Sequence, residues 1–306
     1  AAVWGVYIFL MLSLGIHVII CNIIGIFKKH HFYAYTLWMM LLMFFAYLFY
    51  PERFAFIAFT NSLTSQVMLL GFLISLMYLI LNLRQLSSFT EKIKAKMPLG
   101  MFALLVTAGM GVIFLLITEG HTVIENVILE VYEIITKPFV QNRWQMTVAE
   151  NHQPYFTDWI SQLSSGSSLE SFFGPLYMWL FFGGAILMFY VLISKIKTIQ
   201  QKSIWLLTSA FGLFILLFSM SRYAASSTFN GETPISQIAY IVSLVAFFGI
   251  MGYGYIKYIY KNKEANESIS DIDIMIPLVI IWFIIMIIAA RSAIRLLFIF
   301  APVTAV

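Results

Sequence analysis

Charged residues are scarce in this chain. They make up 10% of its 306 residues, against about 25% in an ordinary soluble domain. The net charge is +4, but the Lys and Arg residues are spread over short segments between apolar runs, which argues against a nucleic-acid partner. Cys21 is the single cysteine and lies inside an apolar run. An internal disulfide is therefore excluded, and cysteine usage does not indicate the redox compartment.

Short segments with strict apolar and polar alternation are absent as well, which excludes a membrane β-barrel. The chain is instead 61% hydrophobic, and its apolar residues form runs of about 18 to 25, long enough for a helix to cross a hydrocarbon layer of about 30 Å. The pattern predicts an all-α polytopic membrane protein with about eight or nine spans. The predicted helices are Val3–Phe27, Phe32–Tyr50, Ser65–Leu83, Leu99–Thr118, Phe173–Ile193, Ile204–Ser221, Ile235–Tyr260 and Ile274–Ala290, followed by a ninth apolar stretch from Arg295 onward.

Basic residues mark every second segment between these spans. They are Lys28 and Lys29; Arg84, Lys92, Lys94 and Lys96; Lys195, Lys197 and Lys202; and Lys257, Lys261 and Lys263. By the positive-inside rule these segments face the cytoplasm, and the alternate segments, of which 119–172 is the largest, face outward. That loop also holds half of the chain's 14 acidic residues. We therefore expect four spans within 1–118, an external loop at 119–172, and four to five spans within 173–306.

The external loop divides into two parts. Residues 121–136 carry apolar side chains at helical spacing and end before Pro138, which predicts an amphipathic helix on the membrane surface. Residues 144–154 lack such a stripe and carry many polar groups between two membrane spans, which indicates a functional segment. Glu150 and His152 lie there. A lone carboxylate in such a loop is often only solvated, and the residue order around Glu150 is what favours a functional role.

The order Thr147-Val148-Ala149-Glu150, with Gln153-Pro154 and Trp159 after it, resembles the signature external loop of the oligosaccharyltransferase catalytic subunits, the enzymes of asparagine-linked glycosylation. Three further stretches are similar to that family's membrane segments: Trp4-Gly5 with Tyr7, Phe9 and His17-Val18; Phe32-Tyr33-Ala34-Tyr35; and Ile294-Arg295-Leu296-Leu297-Phe298 before Ala301-Pro302. All lie in the family's order, so the resemblance covers nearly the whole chain and is of archaeal type. Asn151 requires a one-residue insertion, and residues 204–273 cannot be mapped onto the family.

The resemblance implies a GT-C-type helix bundle that transfers an oligosaccharide from a lipid-linked phosphate or diphosphate donor to Asn of an Asn-x-Ser/Thr sequence. It implies that Glu150 holds the acceptor amide, that Thr147 contacts the acceptor peptide, and that Arg295 binds the donor diphosphate, with Arg291 as the weaker alternative. Glu150 is also the candidate ligand of a divalent cation, Mn²⁺ or Mg²⁺. The partners would be a lipid-linked oligosaccharide, an acceptor polypeptide and membrane lipids, in the cell membrane of an archaeon or the endoplasmic reticulum membrane of a eukaryote.

Both ends of the chain are apolar, so we expect an internal segment of a longer protein. The family's metal-binding aspartates would precede residue 1 and its acceptor-reading Trp-Trp-Asp domain would follow residue 306, so this segment should be inactive alone. Asp271-Ile272-Asp273 is expected to cap a helix on the cytoplasmic side, and His17 to hydrogen-bond a neighbouring helix.

Two alternatives stay open. Another GT-C-type polyprenyl-phosphate sugar transferase would share the spans but lack the loop that binds an acceptor peptide. A multi-span transporter would require ionisable groups near the bilayer midplane and inverted repeats. The chain shows no repeat, and apart from His17 the interiors of the predicted spans hold no ionisable group.

Overall fold

The computed structural model describes residues 2–49, 63–94, 96–119, 129, 153–162, 176–260 and 272–292. Within these ranges the chain is helical apart from turns and one isolated antiparallel bridge between Arg222 and Asn230. Four of the helices are long and apolar enough to cross a membrane, or five if a bent pair forms one span, and three more are apolar but shorter. The all-α membrane class is thus confirmed for this part of the chain, whereas the count of eight or nine spans and the GT-C-type arrangement stay predictions.

Each predicted apolar run up to 274–290 contains one long helix. The helices are α1 (Ala2–Ile24), α2 (Lys29–Phe49), α3 (Leu63–Leu81), α4 (Ser87–Lys94), α5 (Leu99–Glu119), α6 (Phe156–Gln162), α7 (Leu176–Ser194), α8 (Gln201–Met220), α9 (Pro234–Tyr255) and α10 (Met275–Ser292). A 3₁₀ turn precedes α4 at Arg84–Leu86, and α9 continues as a π-helical turn at Ile256–Tyr260.

Local chemistry sets several of these boundaries. Helix α1 ends three residues before the predicted Phe27 because Gly25 has φ +93°, a left-handed conformation that closes a helix. Helix α10 begins after Asp273, whose Oδ1 accepts a hydrogen bond of 2.9 Å from the Met275 amide. This confirms the predicted capping role for Asp273. Thr233 caps α9 in the same way and is followed by Pro234, whose fixed φ suits a first helical turn.

The short helix α4 was missed because its segment was predicted only as a basic connection. Thr90 and Ile93 on one face are buried, whereas Lys92 and Lys94 are exposed. The Thr90 hydroxyl donates to the Leu81 carbonyl at 2.6 Å. This bond ties α4 to the end of α3 and keeps the lysines on the outer side.

The chain forms two compact units, one of residues 1–121 with 263–281 and the other of residues 122–262 with 282–306. In the first unit, α1, α3 and α5 pack closely at small residues. A Cβ atom on Gly15 would lie 3.1 Å from the Met68 amide, and one on Gly100 would collide with the Asn22 carbonyl. The Asn22 amide donates to Ser75 Oγ at 2.9 Å. Small residues and side-chain hydrogen bonds of this kind hold helices together in lipid.

The second unit is built on aromatic side chains. Phe211, Phe214 and Phe218 of α8 are fully or almost fully buried. The rings of Phe214 and Phe247 stack with centroids 4.5 Å apart, and those of Phe189 and Phe211 stack at 4.4 Å. Stacked aromatic pairs contribute about 0.5–1.5 kcal/mol each beyond the area that they bury. This core therefore fixes the relative positions of α7, α8 and α9.

A substitution at Gly100 tests the close packing of α1 and α5 in the first unit. We expect Gly100→Ala to lower the free energy of unfolding by about 1–3 kcal/mol, because its methyl group must displace the α1 backbone. Gly109→Ala on the same helix is the matched control, since a Cβ atom there meets nothing within 4 Å. It should leave stability unchanged or raise it slightly. Thermal unfolding of the purified protein in detergent distinguishes the two, and equal midpoints would contradict the described α1–α5 packing.

Candidate functional site

The residues that carry the resemblance lie only partly in the described part of the chain. Thr147, Glu150 and Arg295 lie outside the described residues, as do His152 and all of the predicted amphipathic helix 121–136 except Leu129. Gln153, Pro154 and Trp159 are described, and all three are buried. The structure therefore shows where the segment that follows Glu150 is attached.

That segment, residues 153–162, packs on the turn that follows α8. The Phe156 amide donates to the Arg222 carbonyl at 2.8 Å, and the Thr157 amide donates to the Tyr223 carbonyl at 3.3 Å. The rings of Phe156 and Tyr223 stack at 6.1 Å. Two main-chain hydrogen bonds and a buried aromatic ring thus anchor the end of the loop to α8.

The fold of the segment itself is set by Asp158. Its Oδ2 accepts a hydrogen bond of 2.7 Å from the Tyr155 amide, just before α6 begins. A carboxylate at the third helical position that reaches back to the capping amide is one half of a capping box. Trp159, one turn into α6, is fully buried. This cap and the burial of Trp159 define a short helix, which was not predicted from the sequence.

The turn from Ser221 to Thr233 is held by polar side chains. Asn230 Oδ1 accepts from the amides of Glu232 and Thr233, at 2.8 and 2.9 Å. The Gly231 amide donates to Ser236 Oγ at 3.1 Å. Gly231 has φ +87°, so a glycine is needed for the backbone alone. The turn is therefore a defined structure that links α8 to α9.

Arg222 lies inside this turn with its side chain 9% exposed. Its Nη1 donates to Gln153 Oε1 at 3.4 Å, and its Cζ lies 4.5 Å from the centroid of the Tyr155 ring. A Cβ atom on Gly231 would lie 2.8 Å from Arg222 Nη1. The guanidinium group is thus enclosed by the loop segment on one side and the glycine of the turn on the other.

Arg291 is the second buried cation of this region. Helix α10 runs to Ser292, two residues beyond the predicted end, so Arg291 belongs to its last turn and not to a connecting segment. Arg291 is 3% exposed, and its Nη2 donates to Ser221 Oγ at 3.4 Å. Its charge interacts with that of Arg222. Arg291 is thus a buried cation at the end of an apolar helix.

The sequence predicts Arg291 only as the weaker donor-binding residue, and it predicts no role for Arg222. The two residues are far apart in the chain, and only the packing of α8 and α10 brings them together. One local signal was available, because Asn230-Gly231 is a strong turn dipeptide and indicates a tight return of the chain next to Arg222.

Metal ligands do not cluster in the residues that the structure describes, where no group of three or more His, Cys, Asp or Glu side chains could hold an ion. His17 contacts Cys21 of its own helix, with Nδ1 3.5 Å from Sγ, and not a neighbouring helix as predicted. The described residues thus contribute no cluster of ligands for the divalent cation that the resemblance implies.

A substitution at Gly231 tests whether the turn encloses the Arg222 side chain. We expect Gly231→Ala to destabilise the protein by about 1–2 kcal/mol from the left-handed backbone alone, and by more because the methyl group must push the Arg222 side chain aside. Gly184→Ala in α7 is the control, since nothing lies within 4 Å of its Cβ position. A thermal unfolding midpoint that falls equally in both variants would rule out this account of the turn.

Comparison with known proteins gives no match. No protein-family model fits the chain, and no curated protein or solved structure is significantly similar to it. What the chain does must therefore be argued from its own residues: the anchored segment after Glu150, the buried arginines, and the order of residues in the loop.

Proposed function

We propose that this chain is the membrane part of an oligosaccharyltransferase, which moves an oligosaccharide from a lipid-linked phosphate or diphosphate donor to the side-chain amide of Asn in an Asn-x-Ser/Thr acceptor. The observation that carries the proposal is the attachment of residues 153–162 to the turn after α8. Glu150 precedes Gln153 by three residues, so the length of the chain limits the distance between their Cα atoms to about 11 Å.

Such a location suits a reaction between a lipid-anchored donor and a water-soluble acceptor. The donor's phosphate is held at the membrane surface by its lipid, and the acceptor peptide arrives from the aqueous side. The reacting groups must therefore meet at the end of the membrane helices. A loop that returns to the end of α8, with Gln153 in contact with a buried cation, has the position that this meeting requires.

The charges of the second unit support an outward-facing site. Lys195, Lys197 and Lys202 lie at the beginning of α8 and are exposed, whereas the turn that holds Arg222 lies at its other end. Lysine-rich segments stay in the cytoplasm. The loop 119–172 and the turn after α8 would then share the external or lumenal side, where protein acceptors are glycosylated.

In the proposed reaction the Asn nitrogen forms a bond to the anomeric carbon of the donor sugar. The bond from that carbon to the phosphate oxygen breaks, and the phosphate leaves with the electron pair. Glu150 would accept a hydrogen bond from the acceptor amide and take the proton that the nitrogen loses. Thr147 would contact the acceptor peptide, and Arg295 would stabilise the negative charge of the leaving phosphate. Glu150 would also be the residue of this chain that could hold a divalent cation, which would stabilise the charge of the departing phosphate.

Cysteine labelling tests the proposed orientation. Cys21 is fully buried and should not react with a maleimide. In intact cells, we expect a membrane-impermeant maleimide to label Ser161→Cys, which lies in the anchored segment, and to label Lys197→Cys only after permeabilisation. Both positions are exposed, so they differ only in the side of the membrane. The reverse pattern would place the loop in the cytoplasm and would exclude the proposed reaction.

Glu150→Gln tests the chemistry in the complete reading frame that contains residues 1–306. We expect transfer to an Asn-x-Thr peptide to fall by about 100-fold or more, because an amide cannot accept the proton. Glu232→Gln is the control, since it removes an exposed carboxylate from the turn after α8 and should retain activity. Transfer that persists in Glu150→Gln would contradict the assigned role. Transfer that does not depend on the acceptor Asn would instead favour another polyprenyl-phosphate sugar transferase.

A further inference from the structure

Arg222 and Arg291 form a pair of buried cations that have no carboxylate partner among the described residues. Arg222 is 9% exposed and Arg291 is 3% exposed. Neither makes a salt bridge to a described Asp or Glu, and their charges repel each other. Buried charges in proteins are normally paired, because removing an ion from water costs several kcal/mol. The pair therefore requires some compensating negative charge.

The contacts that the structure shows compensate the pair only in part. The bonds from Arg222 to Gln153 and from Arg291 to Ser221 are both 3.4 Å long, beyond the usual range of about 2.7–3.2 Å. Each guanidinium lies near the carboxyl end of a helix, α8 or α10, where the helix dipole supplies roughly half a negative charge. The Tyr155 ring adds a weak cation–π contact to Arg222.

Several donor atoms are left over. Arg222 Nε, Arg291 Nε and Arg291 Nη1 are buried and have no hydrogen-bond partner. An unsatisfied buried donor costs about 1–3 kcal/mol, and more when the group is charged. These three atoms belong to two guanidinium groups in one region, so a single ligand with several acceptor oxygens would satisfy them together.

We infer that Arg222 and Arg291 form a binding site for a phosphate-type anion. Guanidinium groups bind phosphate through paired hydrogen bonds, and two of them match a group with at least two negative charges. Chloride carries a single charge and lacks the paired oxygens that match a guanidinium fork, so it should bind more weakly. Gly231 keeps the turn close against Arg222 and so holds the first guanidinium in place. Ser221 holds the second through its hydroxyl.

The site consists of Arg291, which the resemblance gives only as the weaker donor-binding residue, and Arg222, to which it gives no role. Neither Arg222 nor Arg291 is Arg295, and the inference depends on burial and unsatisfied donors, not on the resemblance. The chemistry fits equally the phosphate of a membrane-anchored polyprenyl carrier and free pyrophosphate or phosphate. The experiment must therefore separate these two sources.

Binding is measured on the purified full chain in a maltoside detergent, without acceptor peptide. Inorganic pyrophosphate is titrated at constant ionic strength with chloride as the reference anion, and the thermal unfolding midpoint and intrinsic tryptophan fluorescence are followed. We expect a saturable rise in midpoint with pyrophosphate that chloride does not produce. Polyprenyl phosphate is the second probe. A lipid source is indicated if it binds more tightly than pyrophosphate and is displaced by it, and a free anion if it does not compete.

Arg222→Gln and Arg291→Gln should each weaken pyrophosphate binding by about 10- to 100-fold, the loss of one or more charge-assisted hydrogen bonds. Without anion, both variants should be at least as stable as the wild type, because each removes a buried like charge. Arg222→Lys keeps the charge but loses the paired donors, so its affinity should lie between those of the wild type and Arg222→Gln. Lys202→Gln, at the exposed beginning of α8, is the matched control and should bind as the wild type does.

Three results would overturn the inference. The wild type may show no saturable response to pyrophosphate or to polyprenyl phosphate, or the Arg→Gln variants may bind with unchanged affinity. Binding that emerges only in Glu150→Gln would identify Glu150 as the internal counterion of the pair. Because transfer is not measured here, failure of this test leaves the proposed reaction standing, and loss of transfer in Glu150→Gln leaves the anion site standing.

Discussion

The burial of Arg222 at the end of α8 is the constraint on which the rest of the site depends. Its carbonyl accepts the hydrogen bond that starts α6, its guanidinium contacts Gln153 and Tyr155, and the glycine of the following turn leaves room for its side chain. Thr233, the last residue of this turn, also caps α9. A charged side chain in a membrane protein is costly to bury, and this one organises the polar segments that adjoin the helices.

The helices of the two units are held together by different kinds of contact. In the first, close helix contact at Gly15 and Gly100 is combined with a hydrogen bond from Asn22 to Ser75. In the second, helix contact is made by stacked phenylalanines, Phe189 with Phe211 and Phe214 with Phe247. Small residues allow backbones to approach, whereas aromatic rings fill a wider space. The aromatic core of α7, α8 and α9 accompanies a polar end in which two arginines are buried.

Apolar runs predicted the long helices because run length and membrane thickness are directly related, and the Asp273 cap followed from residue type alone. Boundaries such as Gly25 and Ser292 depended on local geometry and were less accurate. The Arg222–Arg291 pair could not be predicted, since residues 69 positions apart meet only through helix packing. Helix α6 was missed because its signal, Asp158 facing the Tyr155 amide, is a single residue. The roles of Thr147, Glu150 and Arg295 come from resemblance and stay predictions.

The loop is anchored through the main chain of Arg222, while the candidate ligand contacts belong to its side chain. These two roles are separable in evolution. A substitution at position 222 changes the contacts of the side chain and still leaves the carbonyl that holds the loop. If the inferred anion site exists, its preference for one anion could change while the attachment of the loop is kept. Among related sequences, a change of the bound anion would then appear as substitutions at positions 222 and 291. The backbone conformation of residues 153–162 would stay the same.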